Sequence, residues 1–191
     1  MRGGADRRGM RKPLVVFTPK RLLRHPRASS TFADLMSGGF QEVLDETGQL
    51  DTGRVSRLVF CTGQIYYDLL AAREEQNAEH VAIVRLEQLY PFEQGKVRDV
   101  LLRYPLTSEV VWAQEEPRNM GAWSFVADQF RTILDPTGRE VRYAGRPESA
   151  STATGSLKRH QQEQAELVKE ALTPGTVSRA PKMRVIARRK R

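Results

Sequence analysis

Short unbroken apolar runs alternate with stretches of helical period along this chain, and that order constrains its fold more than any other feature. It suits buried parallel strands joined by crossover helices. Residues 58–62 (LVFCT) form one such run, broken by Gly63. Ile65, Leu69 and Ala72 then recur at helical spacing with Tyr66 and Leu70, while Asp68, Arg73, Glu74 and Glu75 mark a wet face. Residues 81–84 give the next strand; Val97, Val100 and Leu101 stripe a helix stopped by Tyr104 and Pro105; residues 110–113 give a further strand. Trp123, Val126, Ala127, Phe130, Ile133 and Leu134 trace the clearest helical stripe, closed by Pro136 and Gly138. A short strand at 141–143, a loop at 146–156 and a helix carrying Leu157, Ala165, Val168 and Leu172 complete the series, stopped by Thr173, Pro174 and Gly175. The expected fold is α/β: a layered sheet with helices on both faces and right-handed crossovers. No internal repeat is visible.

Ahead of this body the pattern is thinner. Residues 14–17 form a brief apolar run closed by Thr18 and Pro19. Phe32, Leu35 and Met36 make a short helical patch ending at Ser37, Gly38 and Gly39. Residues 45–54 read as a surface connection, and the organised body is expected from about Arg54.

With 39% hydrophobic and 28% charged residues in 191, the chain has the composition of a soluble globular protein. No apolar run approaches roughly 18 residues, so no membrane span is expected. The lone Cys61 excludes an intramolecular disulfide framework and a cysteine-cluster zinc site. The net charge of +8 is uneven: residues 1–12 carry five Arg/Lys against Asp6, and residues 179–191 carry seven with no acid, which leaves 13–178 at −3. Basic ends of this kind can hold phosphate backbones nonspecifically. Without aromatic interleaving they are expected to be solvated tails, and nucleic acid is not an expected partner.

Chemical motifs are sparse. No dinucleotide or Walker-type glycine pattern and no nucleophile elbow occurs, and His25, His80 and His160 have no metal-ligand spacing. No catalytic, cofactor-binding or metal-ligating residue is therefore assigned. Cys61 reads as a structural thiol within an apolar strand. Glu115 and Glu116 follow a buried strand, at the edge where open α/β sheets bind ligands. Neighbours on a strand point to opposite faces, so the expectation is one carboxylate paired locally, for instance with Arg118, and the other turned outward. In residues 146–156, Ser156 is a candidate helix N-cap. Lys158 and Arg159 oppose the macrodipole in the first turn after it, a conflict that an anion held by Arg146 and the hydroxyl-rich loop would relieve.

The strings RKPLVVFTPKRLLRHP, CTGQIYYDLLAARE, VAIVRLEQLYPF, VWAQEEPRNMGAWSFV and YAGRPESASTATGS followed by HQQEQ occur in that order. Together they resemble the carboxyl-terminal part of the thiamine-diphosphate-dependent decarboxylase component of 2-oxoglutarate dehydrogenase, over about residues 12–172. QEEPRNMGAW is the string that sets that family apart from its pyruvate and branched-chain relatives. The resemblance implies a transketolase carboxyl-terminal-like domain at 54–172, preceded at 13–53 by the last strand of a pyrimidine-binding domain and a linker. Residues 1–12 form an unmatched basic segment, and 173–191 a basic, disordered tail. It implies oxidative decarboxylation of 2-oxoglutarate in the citric acid cycle by the whole enzyme, a homodimer that uses thiamine diphosphate and magnesium and passes the succinyl group to a lipoyl succinyltransferase.

The Gly-Asp-Gly run with downstream Asn that serves the diphosphate and magnesium in that family is absent. The chain is accordingly expected to bind no cofactor alone, to be inactive alone, and to act as a structural and regulatory domain. Its partners would be the remaining domains, in the same or a companion chain. The unmatched ends suggest a truncated, frameshifted or split reading frame. The compartment implied is the cytoplasm, or the mitochondrial matrix in a eukaryote. Some family members respond to adenine nucleotide or acetyl-coenzyme A near the step into the terminal strand, where Arg11 and Lys12 are the basic residues here. Arg11, Lys12, Arg146 and Ser156 are thus the candidate effector-binding residues, and a free-standing nucleotide- or acyl-coenzyme-A-binding module is the rival reading. Trp112, Trp123, Phe125 and Tyr90 are candidate core or interface anchors, with core preferred for Trp123.

Overall fold

Burial with a period of two runs through four parallel strands, and each strand therefore feeds two separate cores. The computed structural model of the chain describes residues 15, 20–48 and 50–175. In order these form helix α1 (Phe32–Met36), strand β1 (Val43–Leu44), β2 (Arg57–Cys61), α2 (Ile65–Glu75), β3 (Val81–Leu86), α3 (Gln94–Arg103), β4 (Glu109–Gln114), α4 (Trp123–Leu134), β5 (Val141–Gly145) and α5 (Leu157–Leu172). The strand order is β1-β3-β2-β4-β5, with β1 antiparallel to β3 and the other pairs parallel. In register, Phe60 stands beside Val84 and Trp112, and Trp112 beside Tyr143.

On one face Leu58, Phe60, Val84, Trp112 and Tyr143 pack under α3 and α4; on the other Val59, Cys61, Ile83, Val111 and Ala144 pack under α2 and α5. The expected α/β sheet with helices on both faces is the observed one. The stripe of α4 closes over an aromatic nest in which Phe130 lies 4.8 Å from Phe60, 6.0 Å from Phe92 and 6.5 Å from Trp112 between ring centroids. Cys61 is fully buried, and desolvation pushes its thiol pKa up, so it has the character of an inert core residue.

A charged cluster fastens the amino edge of the sheet. The fully buried Arg57 pairs with Glu109, donates from Nε to Ala171 O at 2.8 Å and from Nη2 to Glu170 O at 3.1 Å, and so satisfies carbonyls in the last turn of α5. Arg142 reaches the same carboxylate at 2.7 Å.

The segment expected as a surface connection differs from that reading. Val43 and Leu44 pair with Leu86 and Arg85. Glu46 is buried, receives the Arg73 guanidinium, and accepts a hydrogen bond from Ile83 N at 3.0 Å. Strand β3 would otherwise present open donors at the sheet edge, and the Glu46 carboxylate occupies one of them. Two residues of strand carry no periodicity, so the sequence gives no sign of the pairing.

The chain divides into two compact units, one ending at Glu42 and one beginning at Val43. In the first, 3-10 turns at Lys20–Arg24 and Pro26–Ala28 precede α1, whose start is fixed by a capping box between Thr31 and Asp34. Arg11, Lys12, the apolar run at 14–17 apart from the exposed Val15, and the basic ends lie outside the described residues. No described helix is long and apolar enough to cross a membrane.

Candidate functional site at the carboxyl edge of the sheet

From β2 the chain crosses to β3 on one side, and from β4 it crosses to β5 on the other. The carboxyl ends of β2 and β4 are thus a topological switch point, the place where open α/β sheets bind their ligands. Gly63, in the left-handed region at φ +76°, turns the chain there into α2 and sets Gln64 opposite Glu115. Gln64 Nε2 donates to Glu115 Oε1 at 3.3 Å; Gln164 Nε2, from α5, donates to the same oxygen and to Asp68 Oδ2, both at 3.0 Å. Burial raises the pKa of Glu115, with further contributions from the charges of Asp68 and Glu116, and the two amides oppose the rise.

The next layer is organised by Gln114, which is almost fully buried. Its Oε1 accepts from Trp112 Nε1 at 2.9 Å and Trp123 N at 3.0 Å; its Nε2 lies within reach of Glu116 O, Pro117 O and Met120 O, the last at 2.8 Å. One amide therefore folds the loop after β4 around itself. Tyr143 Oη lies 3.1 Å from Glu116 O and 2.9 Å from Arg146 O, which joins that loop to the one after β5. Arg118 N donates to Arg146 O at 3.1 Å, and Asn119 and Ser149 exchange hydrogen bonds at 2.9 and 3.1 Å. The backbone at Gly145 runs so close that a Cβ there would stand 2.5 Å from Tyr143 Oη and 2.8 Å from Gln114 O. The two loops form one locked platform.

The expected partner of the glutamate pair differs in the structure. Glu115 is held by glutamines, Glu116 is exposed, and the Arg118 guanidinium lies over the rings of Tyr143 and Trp123 at 5.3 and 5.9 Å. Arg146 is 8% exposed. Its Nη2 stands 2.8 Å from His160 Nδ1, and because guanidinium has no acceptor, that nitrogen accepts. Its Nε lies 3.4 Å from Glu163 Oε2 without a hydrogen bond, and Thr154 Oγ1 is likewise buried and unbonded. Both residues line a cleft of about 100 Å³ together with Arg159, Glu163 and residues of the loop. Ser156 is not among its walls; its hydroxyl accepts from Arg159 N at 3.5 Å as the N-cap of α5. Of the four candidate effector residues, Arg146 alone lines the cleft among the described residues. Trp112 and Trp123 belong to the core, Phe125 is half-buried, and Tyr90 is 83% exposed.

Sequence reasoning missed the three glutamines. Gln114, placed directly after the apolar VVWA, is the one that carried a signal, since a polar residue continuing a buried strand needs partners.

This edge does not fit thiamine diphosphate with magnesium. Among the described residues no group of three or more His, Cys, Asp or Glu side chains is placed to hold a metal, and the cleft is several-fold smaller than a typical cofactor pocket.

The 2-oxoglutarate dehydrogenase C-terminal family matches residues 29–172, well over half of the chain. The chain belongs to that family. Similar proteins include the 2-oxoglutarate dehydrogenase E1 component of Haemophilus influenzae, 45% identical over 166 residues, which are 87% of this chain and 18% of that protein. The E1 component of Rickettsia felis is 46% identical over 165 residues, 85% and 17% of the two chains. The mitochondrial 2-oxoglutarate dehydrogenase of Caenorhabditis briggsae is 49% identical over 162 residues, 83% and 16%. This family member thus spans less than a fifth of the curated relatives it matches. A split-gene transketolase, solved as an inactive β4 tetramer, covers 63% of this chain and 40% of its own at a TM-score of 0.44 and 19% identity, a likeness too slight to add to the family relationship. QEEPRNMGAW and YAGRPESASTATGS, the strings that carried the resemblance, are the two interlocked loops of the platform.

Proposed function

We propose that this chain is the carboxyl-terminal supporting domain of a 2-oxoglutarate dehydrogenase E1 decarboxylase and carries out no chemistry alone. In the whole enzyme, thiamine diphosphate supplies the ylid on which 2-oxoglutarate is decarboxylated, and the succinyl group passes to the lipoyl arm of the transferase. The role of the residues here is to hold the switch-point edge rigid beneath those domains and the dimer they build. The observation that carries this reading is the Gln114–Tyr143–Asn119–Ser149 lock. It directs the buried polar groups of both loops at backbone and at each other and presents a preformed surface. The compartment would be that of the relatives, cytoplasm in bacteria and mitochondrial matrix in eukaryotes. The domain limits expected from the sequence, 13–53 and 54–172, belong to the same proposal.

The test is complementation. The Haemophilus influenzae relative, ended before its matched 166 residues, is assayed for 2-oxoglutarate decarboxylation with and without this chain. Recovered turnover on addition supports the supporting role; no gain, while the relative's own terminal segment restores activity, refutes it.

A second reading rests on the cleft. Arg146 Nε and Thr154 Oγ1 are buried without hydrogen bonds, as for an effector site that takes nucleotide or acyl-coenzyme A phosphate, with Arg11, Lys12 and Ser156 as the other candidates. Glu163 against the same guanidinium opposes an anion. Calorimetry with AMP and acetyl-coenzyme A decides it: saturable heat that Arg146→Met abolishes supports the module, and no heat with either ligand removes it.

A further inference from the structure

Residues 20–42 contain no buried side chain, although their local structure is well defined. Leu23, Phe32, Leu35, Met36 and Phe40 are 63–78% exposed, a density of bare apolar surface that soluble chains keep for contact with something else. The five-residue α1 is capped on both sides of its first turn: Asp34 N donates to Thr31 Oγ1 at 3.2 Å and Thr31 N to Asp34 Oδ2 at 2.8 Å. Capping of that kind sets where a helix begins, but a single turn without a packed face is not stable in water. Phe32, Leu35 and Met36 fall at i, i+3 and i+4 and so share one face, the anchor spacing of a helix laid into an apolar groove. Just before them, residues 20–28 carry Lys20, Arg21, Arg24 and Arg27 with no acid. The complementary surface is therefore an apolar groove with an acidic rim at one end.

The page also indicates which polypeptide carries that groove. The family match begins at residue 29, inside this stretch, whereas the second compact unit begins at Val43. The apolar half therefore belongs to the sequence shared with relatives whose chains are five to six times longer, and is not part of the second unit. We infer that residues 20–42 are a docking arm whose Phe32–Met36 helix seats in an apolar, acid-rimmed groove on the thiamine-binding portion of the decarboxylase. The inference rests on the supporting-domain reading above.

The test uses the full 191-residue chain co-expressed with the truncated Haemophilus influenzae relative, with the relative's own terminal segment as the competent control. The expected results are a 1:1 complex with the natural chain, about tenfold or greater loss of affinity for the triple variant Phe32→Ser, Leu35→Ser, Met36→Ser, and an unchanged thermal melt of that variant. Tyr90→Ser, an equally exposed aromatic outside the arm, keeps the natural affinity. A triple variant that binds as well as the natural chain overturns the arm and leaves the supporting reading intact. A natural chain that fails to bind where the control segment binds overturns both.

Discussion

The stretch from Lys20 to Glu42 and the sheet that begins after it dispose of apolar side chains in opposite ways. The first has Phe32, Leu35 and Met36 at correct helical spacing and buries none of them; the second buries Phe60, Trp112 and Phe130 completely. Local order in the first comes from a hydroxyl and a carboxylate within four residues of each other, whereas in the second it comes from parallel pairing between strands some 25 to 50 positions apart. Amphipathic spacing is thus necessary for a core and not sufficient for one; a partner surface must come from elsewhere in the chain or from another molecule.

The contrast can be broken most readily at Trp112. Trp112→Ala empties the centre of the aromatic nest and removes the donor to Gln114 Oε1, and is expected to cost about 3–5 kcal/mol in denaturant unfolding. A cost under about 1 kcal/mol would mean that the nest is not the core. Gly145→Ala places a methyl against Tyr143 Oη and the backbone carbonyl of Gln114, and about 1–3 kcal/mol should be lost in the same measurement. An unchanged midpoint would mean that the two loops are not locked.

Glu115→Gln works in the other direction. Burial raises the folded-state pKa of this carboxyl above its unfolded value, so its contribution is favourable below the unfolded value and is lost as pH rises through the folded one. The glutamine variant should melt about 1–3 °C higher than the natural chain at pH 7, with the gap closing as pH falls into the carboxylate range. A gap that widens on acidification contradicts the sign. Smallest of all, Phe32→Ser alone should leave stability within about 0.5 kcal/mol; a larger loss would place Phe32 in a core and erase the contrast.

The sheet was legible because its strands are continuous apolar runs: 58–62, 81–84, 110–113 and 141–143 were expected, and Arg57–Cys61, Val81–Leu86, Glu109–Gln114 and Val141–Gly145 are observed. Ser156 was legible as a cap because N-capping depends on neighbours three residues away. What escaped depends on long-range geometry. Val43–Leu44 is too short to show a period, and Arg57 at the head of a strand looks like any solvated arginine until α5 returns over it. Gln64 and Gln164 are 100 positions apart and meet only through Glu115. Arg146 was expected in an exposed loop, and it is the packing of α5, with His160 and Glu163 on its surface, that buries it.

The central claim is that catalysis does not reside in this polypeptide. It is tested by steady-state turnover of the purified 191-residue chain with 2-oxoglutarate, thiamine diphosphate and magnesium. The account predicts a rate indistinguishable from the protein-free mixture; carbon dioxide release that scales with the concentration of this chain would contradict it.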